Sequence, residues 1–320
     1  MVALPAPPDP TLEAVDRAIE MRENVGRRGR SLPMGSIGYP CDRALFYAFR
    51  WAGEPKSFPA DVLKKFADGH HGEDVQAARL RLVEGIELWT VDPETGGQYA
   101  VSDCEGHLQG RIDGVILGLL QAPMTPHVWE HKQTELQSKL EQLKAEAGEK
   151  HALFQWNPRY WATAQLYMRY TELDRHYMTV ASPGGRRTVS VRTDYDQHYA
   201  DQYAARARYI IYANRAPARI SENPAWHECR WCDFYAICHQ EAMPARNCRT
   251  CMASTPVADG GWRCDRWDKP LSYEEQQKGC NDHLFLPSLI PGEQVDAADD
   301  GTWVEYLMAD GVVWRNEVVR

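Results

Sequence analysis

The chain has 320 residues, of which 43% are hydrophobic and 25% charged, with a formal net charge of −9. That length leaves room for two modest domains or one domain with insertions, and the apolar content suffices for a proper core. No stretch approaches the roughly 18 apolar residues of a membrane span. The acidic balance argues against a general nucleic-acid coat protein. It does not exclude an enzyme that meets phosphates with metals and local arginines.

The hydrophobic pattern predicts alternating helices and strands without an internal repeat. Residues 1–10, which lack the features of a signal peptide, are expected to form a tail of a cytoplasmic protein. The predicted helices cover 11–23, a segment after Pro40, 61–84, 134–150, a segment from Pro158, and 194–212. The predicted strands cover 87–91 and 98–101 around a hairpin-type turn, two strands within 112–132, a hairpin in 176–192, and a terminal hairpin at 303–308 and 312–318.

Residues 110–132 carry the first concentration of reactive side chains. Asp113 stands where an apolar strand begins, and a proline-containing turn leads to a second short strand with Glu130 and Lys132. Side chains of a strand alternate between faces, so residues 130 and 132 emerge together. If the strands pair, Asp113 joins them. Two carboxylates and a lysine at one sheet edge can hold a divalent cation beside an ammonium group; a solvated Glu/Lys strand is the alternative.

The set Asp113 and Glu130-His131-Lys132 resembles the PD-(D/E)XK nuclease motif. The resemblance implies that the two carboxylates, with the backbone carbonyl of His131, hold magnesium or manganese, and that Lys132 orients a water. In RecB-like nucleases a metal-directed histidine or glutamate follows a glycine by four positions, and Glu73 follows Gly69 at this spacing.

Two further parts of the resemblance concern helices. His70 and His71 compete with Glu73 as the third metal ligand, or form a solvated pair. In RecB-like enzymes a helix after the lysine motif supplies a glutamine and tyrosines to the active site. Gln165 and Tyr160 occupy that place here, although an aromatic stripe on a helix is more often core.

Seven of the nine cysteines fall between residues 229 and 280, and in an intracellular chain such clustering indicates metal more often than disulfides. Cys229, Cys232 and Cys238 need a fourth ligand to close a tetrahedral or cubane site. The later cysteines or Cys41 can provide it. A distant N-terminal cysteine with a C-terminal Cys-x2-Cys-x5-Cys is similar to the iron–sulfur RecB-like nucleases, such as the AddB and CRISPR adaptation nucleases. This resemblance implies a 4Fe-4S cluster held by Cys41, Cys229, Cys232 and Cys238; a zinc knuckle made by the later cysteines alone is the alternative.

A second metal set follows in the C-terminal region. Its spacing suits zinc in a small ribbon or treble-clef loop. The predicted ligands are Cys248, Cys251, Cys264 and Cys280, with His283 as a substitute for Cys280. Cys104 is left over as a small buried or partly exposed thiol.

The resemblance covers about residues 36–240 and implies an α/β fold, a restriction-endonuclease-like mixed sheet flanked by helices. A small C-terminal metal-binding appendage is expected beyond it. The predicted divisions are a tail and helix at 1–30, a nuclease core at 31–240, and a zinc-binding segment with terminal hairpin at 241–320. The implied activity is metal-dependent DNA hydrolysis, exonucleolytic, in recombination, repair or phage replication. DNA and a helicase or recombination protein are the expected partners, in the host cytoplasm if the protein is phage-encoded. A non-catalytic DNA-binding or assembly factor with a nuclease-like fold is the alternative.

Overall fold

The computed structural model describes residues 9–26 and 28–318, so the predicted tail lies almost entirely outside the described residues. The helices are α1 Pro10–Glu23, α2 Asp42–Phe49, α3 Ala60–Leu80, α4 Gln137–Ala147, α5 Glu149–Trp156, α6 Pro158–Thr171, α7 Gln197–Tyr212, α8 His227–Arg230, α9 Tyr235–His239 and α10 Tyr273–Lys278. The strands are β1 Leu32–Pro33, β2 Glu87–Trp89, β3 Ala100–Asp103, β4 Leu108–Arg111, β5 Gly114–Leu117, β6 His127–Gln133, β7 Arg175–Ala181, β8 Thr188–Asp194, β9 Ser254–Val257, β10 Gly261–Cys264, β11 Lys269–Leu271, β12 Glu293–Ala297, β13 Trp303–Leu307 and β14 Val313–Glu317.

A five-stranded mixed sheet in the order β2-β5-β6-β7-β8 is the centre of the fold. Strands β6 and β7 are parallel and are joined through helices α4 to α6, while the other neighbours are antiparallel. Trp129 packs on one face with Ala77 and Leu80 of α3. Val128 faces the opposite layer, which includes Leu166 of α6. The predicted α/β class, a mixed sheet flanked by helices, is confirmed.

The two predicted hairpins late in the chain are also present. Strands β7 and β8 pair along their whole length, with Arg175 opposite Asp194 and Ala181 opposite Thr188. Strands β13 and β14 pair in the same way. The structure adds β12 to the terminal hairpin and so makes a three-stranded sheet that the strand pattern did not predict.

The predicted hairpin around residues 93–97 is wrong, although a turn does form there. The backbone NH of Asp92 donates to the carbonyl of Gly97. The strands on either side nevertheless enter different sheets, because β2 pairs with β5 whereas β3 pairs with β4. Strand β1 adds to β4 in parallel, so a second sheet has the order β1-β4-β3. The residues at 93–97 therefore predict the turn, whereas the pairing partners of the flanking strands depend on the tertiary fold.

The segment expected as an appendage packs partly into the main core. Trp262 of β10 is 1% exposed and belongs to the same apolar cluster as Phe49 of α2. A separate small core forms farther on, around Phe285 and Tyr306. The proposed division at residue 240 therefore remains a prediction. In the described residues no helix is long and apolar enough to cross a membrane.

Candidate active site

Asp113 lies in the bend between β4 and β5, and the pairing of β5 with β6 brings it to the Glu-His-Lys segment. Gly114 is opposite Trp129 in the antiparallel register. The backbone NH of His131 donates to Oδ2 of Asp113 across 2.8 Å. A hydrogen bond to an ionised group is among the stronger ones in proteins, so this contact fixes the position of the carboxylate.

The ammonium group of Lys132 lies within ion-pair distance of the carboxylates of both Glu130 and Asp113. Its Nζ lies 2.7 Å from Oε1 of Glu130 and 3.8 Å from Oδ2 of Asp113. It also donates to the backbone carbonyl of His131 across 2.9 Å. The side chains of Glu130 and Asp113 are 8% and 11% exposed, and that of Lys132 is 30% exposed. The structure therefore brings the three residues of the predicted motif together at one edge of the β5–β6 pair.

Asp113, Glu130 and Lys132 form what is called here the carboxylate cluster. It contains two acidic side chains and one basic side chain. Burial, and after it the neighbouring Glu130, raises the pKa of Asp113 to about 6. Burial would lower the pKa of Lys132, but Glu130 and Asp113 outweigh it and raise that pKa above its ordinary value. Among the described residues, Oε2 of Glu130 is buried without a hydrogen-bond partner. A buried carboxylate with a free oxygen suits a cation.

Glu73 of α3 approaches the same cluster from the helix side. Burial, and next the charge of Asp113, raises the pKa of Glu73 to about 7. Its Oε1 accepts a hydrogen bond from Nε2 of Gln98 across 3.3 Å. Gly72 leaves room for the Gln133 amide beside it, because an added Cβ would lie 2.8 Å from the side-chain nitrogen of Gln133. Gly69, by contrast, has nothing within 4 Å of that position among the described residues.

The histidines near the motif take different positions. His70 is exposed, and its charge acts on Glu73 and Asp113. His71 is exposed as well and has no such interaction. The ring of His131 points away from the carboxylates, with Nδ1 3.0 Å from Oγ1 of Thr179. Only the backbone of His131 therefore faces the cluster.

Of the two predicted residues on α6, the structure brings one to the cluster. Nζ of Lys132 lies 6.0 Å from the ring centroid of Tyr160. Gln165 is fully buried and hydrogen-bonds to the backbone of the turn between β8 and α7. Its Nε2 donates to the carbonyl of Asp194, and its Oε1 accepts from the NH of Asp196. Both ends of the amide are thus occupied by backbone.

Tyr167 of α6 is a further neighbour of the site, one that the sequence analysis does not single out. It is 6% exposed, and after burial the charge of Glu130 is the main reason that its pKa is raised. Its position seven residues after Tyr160 on the same helix would have found it, since two helical turns return a side chain to the same face.

The structure brings the four cysteines of the first group, including the distant Cys41, to one place. Cys41, at the N-terminus of α2, lines one cavity of about 20 Å³ together with Cys229, Cys232 and Cys238. Burial, and then the charges of Cys238 and Cys41, raises the pKa of Cys229. A cavity of this size holds about one water-sized atom.

The second group converges in the same way. Cys248, Cys251, Cys264 and Cys280 line another cavity of about 20 Å³. Burial, and then the other three thiols, raises the pKa of Cys248 to about 12. Four thiolates around one cavity form a ligand set that zinc accepts, and a bound cation would stabilise the ionised form.

His283 lines the same cavity as the second cysteine group and is 2% exposed. Its Nε2 lies 3.3 Å from Oγ1 of Thr250, while Nδ1 is buried without a partner in the described part of the chain. Cys280 is exposed. Both candidates for the fourth ligand are therefore present at the cavity.

Neither cysteine group nor the carboxylate cluster has the geometry of a finished metal site. In residues 9–26 and 28–318, no set of three or more His, Cys, Asp or Glu side chains is placed so that it could hold a metal ion without adjustment. The carboxylates and the two groups of thiols are nevertheless suitable metal donors that lie near one another within each group. Metal binding at any of the three places remains a proposal.

Comparison with known proteins gives similarity to solved nucleases at low identity. The chain is similar to the alkaline exonuclease LHK-Exo of Laribacter hongkongensis in complex with dAMP, with 14% identity and a TM-score of 0.40 over 59% of this chain and 90% of that one. It is also similar to a phage-related exonuclease of Haemophilus somnus, with 11% identity and a TM-score of 0.36 over 56% and 91%. No family model and no curated protein sequence matches. Similarities this weak assign no function, which has to be argued from the site.

Proposed function

We propose that the chain is a metal-dependent deoxyribonuclease of the exonuclease type. The observation that carries the proposal is the contact of Lys132 with both carboxylates, 2.7 Å from Glu130 and 3.8 Å from Asp113. A structural ion pair needs one carboxylate and one cation. Here three buried or half-buried carboxylates, including Glu73, share a single ammonium, and a divalent cation would restore the balance.

The residues fit magnesium or manganese by their donor set. Asp113, Glu130 and the carbonyl of His131 are oxygen donors, and Glu73 is a fourth. Such an ion, when bound, supplies an acidified water and neutralises charge on a phosphate. Lys132 is held protonated by its carboxylate neighbours, so it acts as a hydrogen-bond donor rather than a base. It orients the water and offsets the negative charge that develops on the phosphate.

The deciding experiment is digestion of end-labelled DNA with purified protein across a magnesium and manganese titration. We expect mononucleotides released progressively from an end, in the presence of metal only. Intact DNA at every metal concentration, with DNA binding retained, would instead support a non-catalytic DNA-binding or assembly factor.

We further propose that Cys41, Cys229, Cys232 and Cys238 hold a 4Fe-4S cluster. Support comes from the convergence of Cys41 with residues 229–238 at one cavity. When bound, the cluster ties the N-terminus of α2 to the segment after α7. The visible absorbance and iron content of protein purified without oxygen test this. Zinc in place of iron would favour a zinc site.

For the second group we propose one zinc ion on Cys248, Cys251, Cys264 and Cys280, with His283 able to replace the exposed Cys280. The four thiols line one cavity, and the charges of the other three raise the pKa of the Cys248 thiol. This proximity supports a tetrahedral site. As partners we propose DNA ends or single strands, and a helicase or recombination protein. Recombination, repair or phage replication is the proposed setting.

A further inference from the structure

An open groove of about 610 Å³ crosses the exposed face of the sheet β1-β4-β3. We call it the sheet groove. Its lining includes Ser31 before β1, Ser102 of β3, and Gln109 and Arg111 of β4, with Tyr167 of α6 at the inner end. Of these residues, only Tyr167 interacts with the carboxylate cluster described above, through the charge of Glu130.

The sheet groove leads directly to the carboxylate cluster. Arg111 ends β4 two residues before Asp113. Tyr167, which the charge of Glu130 influences, lies beside the backbone of Arg111. Gly110 makes this close approach possible, because an added Cβ would lie 2.5 Å from Cε1 of Tyr167. The floor of the groove and the wall of the site are therefore the same short stretch of chain.

Arg111 is a cation without a protein partner. It is exposed, and its guanidinium makes no hydrogen bond, ion pair or ring contact within residues 9–26 and 28–318. Ser31 and Ser102 likewise leave their hydroxyl groups free in this part of the chain. A chain with a net charge of −9 thus keeps an unpaired arginine two residues before Asp113. Guanidinium and hydroxyl groups are what proteins use to contact phosphate and sugar.

The dimensions of the sheet groove favour one strand over a duplex. The lining runs from β1 across β4 to β3, which is two interstrand spacings or about 10 Å. A DNA duplex is wider than this space, since its major and minor grooves together measure about 18 Å across. The exposed side chains of Pro33 and Ala100 also line the groove and give an unstacked base an apolar surface to contact.

We propose that the sheet groove binds a single DNA strand next to the scissile phosphate, and that Arg111 binds a backbone phosphate there. The proposal rests on the proposed nuclease function and adds its substrate form and a binding residue. Arg111 selects phosphate without reading sequence, so its loss weakens binding to every sequence equally.

Fluorescence anisotropy of labelled oligo(dT) and of a duplex of equal length, with calcium in place of magnesium, tests this in the full chain. We expect Arg111→Ala to weaken oligo(dT) binding roughly tenfold. The slope of log affinity against log salt should become shallower by about 0.7, as for one lost phosphate contact of a single strand. Arg111→Lys should restore part of both. Ala100 lies opposite Arg111 in the β3–β4 register and is exposed, so Ala100→Glu should weaken binding as well.

Arg17→Ala is the matched control, since it removes an exposed arginine of α1 whose ion pair, among the described residues, is with Glu13. It should leave the affinity and the salt slope unchanged. If Arg111→Ala and Ala100→Glu both bind oligo(dT) like the parent, while the parent cleaves DNA, the groove proposal is wrong and the nuclease proposal stands. If the parent binds neither DNA, both are overturned. Preference for the duplex would also overturn the single-strand assignment.

Discussion

The backbone NH of His131 donates to Oδ2 of Asp113 across 2.8 Å, so the strand that carries Glu130 and Lys132 also holds the carboxylate of the preceding strand. The hydrogen bond is made by backbone, and it does not depend on the identity of residue 131. Substitutions that keep an acceptor at position 113, and substitutions of Lys132, should therefore leave the positions of the two strands unchanged.

Asp113→Asn and Lys132→Met should each lower the rate of DNA cleavage by at least 10²-fold, the scale seen when one charge-stabilising group is lost. The asparagine keeps an acceptor for the NH of His131, and the methionine keeps the length of the lysine stem. We expect melting temperatures within a few degrees of the parent.

Lys64→Met, at an exposed lysine paired with Asp16, is the control for Lys132→Met and should cleave at the parental rate. Parental activity of Lys132→Met in the same assay would remove Lys132 from the proposed mechanism.

Glu73→Gln should weaken manganese binding about tenfold, because one of the converging oxygen donors loses its charge. Asp74→Asn removes the same charge from the next, exposed residue of α3 and should have little effect. Isothermal titration calorimetry measures both. Equal affinities in the two variants would exclude Glu73 as a ligand and leave His70 as the candidate to test.

Cys251→Ser should lose the zinc and keep the iron, and Cys41→Ser should lose the iron and keep the zinc. If the cluster closes the loop of residues 42–228, by analogy with a cross-link its loss should cost roughly 4–5 kcal/mol of stability. Elemental analysis and circular dichroism measure the two effects, with Cys104→Ser as the control. Loss of iron from Cys104→Ser instead would place the wrong cysteine in the group.

His176 of β7 makes the stability depend on acid pH. It is fully buried, and neither ring nitrogen has a partner among the described residues. Burial, and then the charge of Lys132, lowers its pKa to about 3. The unfolded chain, with a pKa near 6.5, then binds more protons between pH 6.5 and 3. Stability is therefore complete above this window and falls by up to about 1.4 kcal/mol per pH unit within it.

Urea unfolding of His176→Phe between pH 7 and 4.5 should show a shallower loss of stability than the parent. His71→Gln, at an exposed position, should follow the parental curve. Identical slopes for His176→Phe and the parent would mean that the imidazole is protonated or hydrated in the folded protein.

Arg249 holds the cysteine-rich segment on the core. It is 1% exposed, donates to the carbonyls of Phe49 and Arg30, and lies 3.7 Å from the ring centroid of Trp51. Arg249→Met should cost about 1–3 kcal/mol for each buried carbonyl that loses its donor. Arg249→Lys should not restore the loss, because an ammonium cannot span the separate acceptors. Protease cleavage after residue 240 and unfolding curves test this, and unchanged curves would contradict it.

Elements with a local signal were the ones predicted correctly. The long helices, the β7–β8 and β13–β14 hairpins and the β5–β6 pairing follow from periodicity and turn residues. The 87–101 region shows the limit of this approach, because residues 92–97 do turn but β2 and β3 join different sheets. Partner choice depends on the apolar faces of β4 and β5, which lie farther along the chain.

The sequence by itself determined the donor chemistry: the spacing of Asp113 from Glu130 and Lys132, and two groups of clustered cysteines. Only the tertiary structure decided which distant groups meet them. It brought Glu73 within the electrostatic reach of Asp113, placed Cys41 at the cavity of residues 229–238, and turned the amide of Gln165 toward the β8–α7 turn. The reason is that side-chain spacing along one strand or helix is fixed by backbone geometry, whereas contacts between elements depend on how the apolar faces of the whole chain pack.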